Sequence, residues 1–135
     1  MYYVLKGTTK AQKKIIDDAM SFAVHFLKIP SNVETEINVS HKFDTSGVML
    51  ADDQEGFLTF EMEIKSDLSD EELELTVYHE MKHIEQMSSG VLSDFKWYGR
   101  DHSETPYMQC PWEIEAYDFE KFAFSMKRML TSPEK

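Results

Sequence analysis

Ser69 followed by Glu72 three residues later, at the head of the run Leu73, Val77, Tyr78, Met81, Ile84 and Met87, leaves this chain little freedom between residues 69 and 90. A serine that can accept from the third helical amide, and a glutamate that can reach back to the serine's own amide, form a capping box. The apolar spacing behind it predicts an amphipathic helix that stops near Gly90. Mid-helix stands His79-Glu80-Met81-Lys82-His83. Residues four apart on a helix lie one above the other, so both imidazoles can reach a single ion at the ~2.0–2.1 Å that zinc–nitrogen bonding requires. Glu80 points toward the same cleft and can take a proton from an attacking water without being a ligand. That is the division of labour the H-E-x-x-H spacing supports in zinc hydrolases. Lys82, Glu85 and Gln86 are assigned to the helix's exposed face.

The rest of the chain reads as elements that build around this helix. After a short apolar start at Tyr2 to Leu5, Thr8 and Thr9 offer N-caps for a helix carrying Ile15, Ile16, Ala19, Met20, Ala23, Phe26 and Leu27, ended by Pro30. Three strand-like runs follow at Val33 to Ser40, Gly47 to Ala51 and Phe57 to Ile64. Asp52 to Gly56 reads as a hairpin loop between the last two. In the third run Leu58, Phe60, Met62 and Ile64 alternate with Phe57, Thr59, Glu61 and Glu63, as in a strand with one face on a core. From Ser88 to Pro111 periodicity is weak, which predicts a long loop of the kind that often serves as a functional lid. A last helix then repeats Trp112, Ala116, Phe119, Ala123, Met126 and Leu130 before a polar tail, residues 131–135. The expected fold class is α+β: one domain spanning residues 1–135, with helices over one face of a small antiparallel sheet of about three strands.

Composition narrows the partners. With 25 Asp and Glu against 14 Lys and Arg, the formal charge is −11, which speaks against nucleic acid, whose phosphates are held by clustered basic side chains. A basic peptide or protein surface would be attracted. The lone cysteine, Cys110, cannot form an internal disulfide, and no apolar run reaches the ~20 residues of a membrane span. A cytoplasmic protein without a membrane partner is expected; oligomeric state is not legible.

A catalytic zinc usually takes three protein ligands and keeps one position open, so two histidines require a third donor. The last helix opens with Pro111-Trp112-Glu113-Ile114-Glu115-Ala116-Tyr117-Asp118-Phe119. Here the chain resembles the gluzincin metallopeptidases, in which H-E-x-x-H on one helix is completed by a glutamate from a following helix. Small ImmA/IrrE-like peptidases and short phage-encoded relatives look most similar, through E-x-E-A-x-x-F. The resemblance covers two short segments and the order of elements. It implies Zn2+ as cofactor, with His79, His83 and Glu113 as ligands and Glu80 as the catalytic base in peptide-bond hydrolysis. Glu115 stays open as the alternative ligand. Tyr117 stands where the family pattern usually has Asp or Asn, and Asp118 is a possible substitute for that support.

A peptide or protein substrate would then lie extended along a sheet edge, for which Phe57 to Ile64 is the candidate. Tyr98, His102, Tyr107 and Tyr117 are the available donors for a developing oxyanion. The alternative to catalysis is a non-catalytic scaffold, regulatory or in phage assembly, that retains the zinc site for stability. His25 and His41 read as ordinary side chains, and Cys110 as a small buried hydrophobe. Trp97, Trp112, Phe119, Phe122 and Phe124 read as core.

Overall fold

The computed structural model describes residues 1–131, so all but the first residue of the expected polar tail lies outside the described residues. Its elements are β1 (Tyr2–Lys6), α1 (Lys10–Leu27), β2 (Val33–Ser40), β3 (Gly47–Gln54), β4 (Phe57–Lys65), α2 (Asp70–Ser88), β5 (Leu92–Ser93), β6 (Lys96–Trp97), β7 (Arg100–Asp101), a 3-10 turn at Tyr107–Gln109 and α3 (Pro111–Thr131). The class is α+β, as the sequence predicts.

The sheet is mixed and four-stranded rather than antiparallel and three-stranded. Its order is β1-β2-β4-β3, with β1 and β4 both parallel to β2 and only β3 antiparallel. The apolar start at Tyr2 to Leu5 is too short to show a period, yet α1 carries the chain back so that β1 and β2 can pair in parallel, which needs a crossover of this kind. Gly7 makes the turn possible. Its φ is +80°, and a Cβ there would stand 2.1 Å from the Val39 carbonyl oxygen.

A second correction concerns the edge. β4 lies between β2 and β3, so Phe57 to Ile64 is interior and the open edges belong to β1 and β3. The alternation read from β4 holds, with Phe60, Met62 and Ile64 fully buried. The hairpin is tighter than expected: β3 runs on to Gln54, and only Glu55 and Gly56, at φ 48° and 88°, make the turn.

All three helices contribute to one apolar core against the inner sheet face. Ile16, Met20 and Ala23 of α1, Ile37 of β2, Phe60 and Met62 of β4, Val77, Met81 and Ile84 of α2, and Phe119 and Ala123 of α3 are all buried there. Thr9 caps α1 and Ser69 caps α2, each through a complete capping box. Some expected core positions are surface instead. Phe26 and Phe122 are half-exposed and pack on each other at 5.3 Å, and Leu130 is 70% exposed, because the last turn of α3 runs past the core. The segment between α2 and α3 is not a featureless loop. β5, β6 and β7 form a small antiparallel sheet whose two turns place Asp94, Phe95, Tyr98 and Gly99 at positive φ.

Candidate functional site

The site lies where α2 meets the first two turns of α3. His79, Glu80 and His83 are buried in the middle of α2, and Glu113 is buried in the first turn of α3. The Nε2 atoms of both histidines face one oxygen: His79 Nε2 is 3.0 Å and His83 Nε2 3.2 Å from Glu113 Oε1. The Tyr107 hydroxyl donates to the same oxygen at 3.0 Å.

The other nitrogen of each ring is held from behind. His79 Nδ1 is 2.8 Å from Glu120 Oε1, and His83 Nδ1 is 2.8 Å from Gln86 Oε1. The Gln86 amide nitrogen donates to the Trp112 carbonyl at 3.0 Å and to Glu115 Oε1 at 3.1 Å, so its oxygen is the end presented to His83. A carboxylate and an amide oxygen can only accept, so each Nδ1 carries a proton and donates it to its partner, with Nε2 turned toward Glu113.

Charge follows from this geometry. Burial opposes a proton on His79, but hydrogen bonds to Glu113 and Glu120 prevail and push it up to about 9. His83 is also raised, burial being outweighed by Glu113 and Gln86. Burial works against ionisation of Glu113, yet hydrogen bonds from His79 and His83 pull it down to about 2. Glu80 is different: burial pushes its carboxyl up, and among the described residues that carboxyl makes no hydrogen bond. It lines a cavity of about 220 Å³ with Ser46, Thr76, His79, Tyr107, Tyr117 and Glu120.

The donor atoms of His79, Glu80 and His83 lie within 4.8 Å of one another, a group that could hold a metal ion. Glu113 Oε1 is closer to both imidazoles than that limit requires. Donors arranged tetrahedrally about zinc at ~2.0–2.1 Å stand about 3.3 Å from each other, so Glu113 Oε1 would need to part from each Nε2 by only a few tenths of an ångström. The upward shift of both imidazoles reflects the carboxylates of Glu80, Glu113 and Glu120 around them. A divalent cation would meet those carboxylates at one point, and the residues present fit it.

The residues named from sequence separate clearly. Glu115 does not face the histidines; its carboxylate receives Gln86 and lies 3.5 Å from Lys82 Nζ. Asp118 is exposed, and Tyr117 packs its ring on His79 at 4.5 Å, so Glu120 takes the supporting place considered for Asp118. Gln86, read as an exposed helix residue, is 1% exposed. Sequence carried a signal for both supporting residues: Gln86 is three past His83, and Glu120 is seven past Glu113, each on the same helix face. His25 and His41 are exposed. His102 is tied to Thr105 Oγ1 at 3.1 Å and packs on Trp112, while Cys110 is buried beside the Thr105 carbonyl.

Compared with known proteins, the chain matches no family model, no curated protein and no solved structure. Among the described residues no helix is long and apolar enough to cross a membrane.

Proposed function

We propose that this chain is a zinc-dependent peptide hydrolase of gluzincin type, with His79, His83 and Glu113 as ligands and Glu80 as general base. One observation carries the reading: two imidazole Nε2 atoms and one carboxylate oxygen converge, each ring held at Nδ1 by an acceptor. Such outer contacts orient ligands and raise their basicity. A core ion-pair cluster built for stability alone has no need of that tautomer control.

When bound, zinc would polarise the scissile carbonyl and lower the pKa of water toward ~7. Among the described residues Glu80 makes no hydrogen bond, and it stands on the cavity wall with a carboxyl that burial has pushed up. A carboxylate of raised basicity is suited to accept the proton of the attacking water and then pass it to the departing amine. Of the four side chains considered for the oxyanion, Tyr107 is favoured: its hydroxyl is at the ligand cluster and its ring lines the cavity. Tyr98 is 74% exposed and His102 is engaged elsewhere, while Tyr117 serves as the packing surface for His79.

The test is elemental mass spectrometry on protein purified without chelators, beside peptide cleavage assays. About one zinc per chain, lost in His79→Ala and in Glu113→Ala, with cleavage abolished but zinc kept in Glu80→Gln, is the expected result. Zinc without cleavage of any peptide would favour the non-catalytic scaffold. No zinc after reconstitution would overturn both.

A further inference from the structure

β3 starts at the cavity just described, where Ser46 precedes Gly47, and then runs as the open edge of the sheet. From Val48 to Asp53 it borders a second and larger groove of about 820 Å³, closed on the far side by Met87 at the end of α2, by Leu92 to Phe95, and by Trp112. This groove adjoins the site at three points in the chain: Val48 lies two residues past Ser46, Met87 four past His83, and Trp112 next to Glu113.

The groove face of β3 is set by its register. Val48 and Leu50 stand opposite the buried Met62 and Phe60, so they face the helix side, yet Leu50 remains 43% exposed. A bulge then shifts the pairing between Leu50 and Asp52, so that Asp53 rather than Asp52 continues the row, opposite Leu58. Re-aiming one side chain is what a single inserted strand residue does. Across the groove the turn of the β5–β6 hairpin places Asp94 and Phe95 at positive φ. An apolar trough is thus bordered by a carboxylate on each wall, beside a strand edge that still offers backbone hydrogen bonds.

We propose that this groove recognises an extended peptide segment added to the edge of β3, seating a large apolar side chain between Leu50, Met87 and Trp112, with a lysine or arginine two residues along, on the same strand face, facing Asp53 and Asp94. It rests on the reading of the neighbouring site as a peptide hydrolase and names the substrate class that site would receive. The charge of −11 over the whole chain favours the same basic partner.

The experiment uses the full chain carrying Glu80→Gln and loaded with zinc, titrated by fluorescence anisotropy with a labelled peptide that places leucine and lysine two residues apart with serine between them, and with counterparts bearing glutamate for lysine or serine for leucine. The lysine–leucine peptide should bind about tenfold tighter than either counterpart. Adding Asp53→Asn and Asp94→Asn together should remove most of the lysine preference and leave the leucine preference; asparagine suits the positive φ of Asp94. Equal binding of the lysine and glutamate peptides overturns the proposal whether or not the double variant folds, as does a lysine preference that survives in a folded double variant. Cleavage by the wild type is scored separately. Selective binding without cleavage upholds the groove and sinks the hydrolase, whereas unselective cleavage does the reverse.

Discussion

Glu113 Oε1 faces the Nε2 atoms of two imidazoles and accepts from a phenol. The residues behind the histidines are therefore the sharper test of purpose. Glu120→Ala leaves every proposed ligand in place but removes the acceptor at His79 Nδ1. Zinc affinity should fall about 10- to 100-fold, measured by competition with a chromogenic chelator. Were Glu120 only a surface ion-pair partner, affinity would not move. Tyr107→Phe removes the hydroxyl and keeps the ring; kcat should drop about a hundredfold with KM little changed. A change confined to KM would place Tyr107 in substrate binding instead.

At the scale of elements, α2 is tied at both ends. Its start depends on Ser69, whose hydroxyl accepts from the Glu72 amide, so Ser69→Ala should cost about 1 kcal/mol and lower the melting temperature by about 3 °C. α2 is also clamped to α3 by Glu74. It is buried, receives a bidentate Arg128 at 2.9 Å through each oxygen, and accepts the Tyr78 hydroxyl at 2.7 Å.

Burial opposes the Glu74 charge, but Arg128 and Tyr78 outweigh it and hold the carboxyl below its ordinary value. A lowered folded value means that the contribution is complete above the unfolded value, near pH 4.5, and is lost as pH falls through the folded one. Wild type should therefore exceed Glu74→Gln in stability at pH 7, and the gap should close on acidification below about 4. Melts followed by circular dichroism at both pH values check this, and a gap constant with pH would contradict the ion pair. Gly7 is the element-scale position least open to change: Gly7→Ala brings a methyl against the Val39 carbonyl and should loosen β1 from β2. Amide exchange across Tyr2 to Lys6 would report it.

For the whole molecule, charge and metal are the levers. An excess of eleven negative charges should make kcat/KM for a basic peptide fall as salt rises from low to physiological ionic strength, with a neutral peptide unaffected. Chelation should lower the melting temperature, and zinc return should restore it, because an ion that binds only the folded state adds to its stability.

What the sequence determined by itself was local. The Ser69 capping box, the Thr9 N-cap, the H-E-x-x-H helix, the β3–β4 hairpin and the alternation of β4 are short-range patterns, written in residues a few apart, and each is present in the structure. Glu113 could be nominated by resemblance, with Glu115 left open as the alternative. Only the packing of α3 on α2 turned one carboxylate to the histidines and the other to Gln86 and Lys82.

Tertiary structure alone decided the strand order, the parallel place of β1, which strand forms the edge, and the supporting roles of Gln86 and Glu120. The physical reason is common to all four. Periodicity tells which face of an element is apolar, but a buried polar side chain on that face looks the same in sequence as an exposed one. What separates them is the partner that arrives from elsewhere in the chain to satisfy its hydrogen bonds.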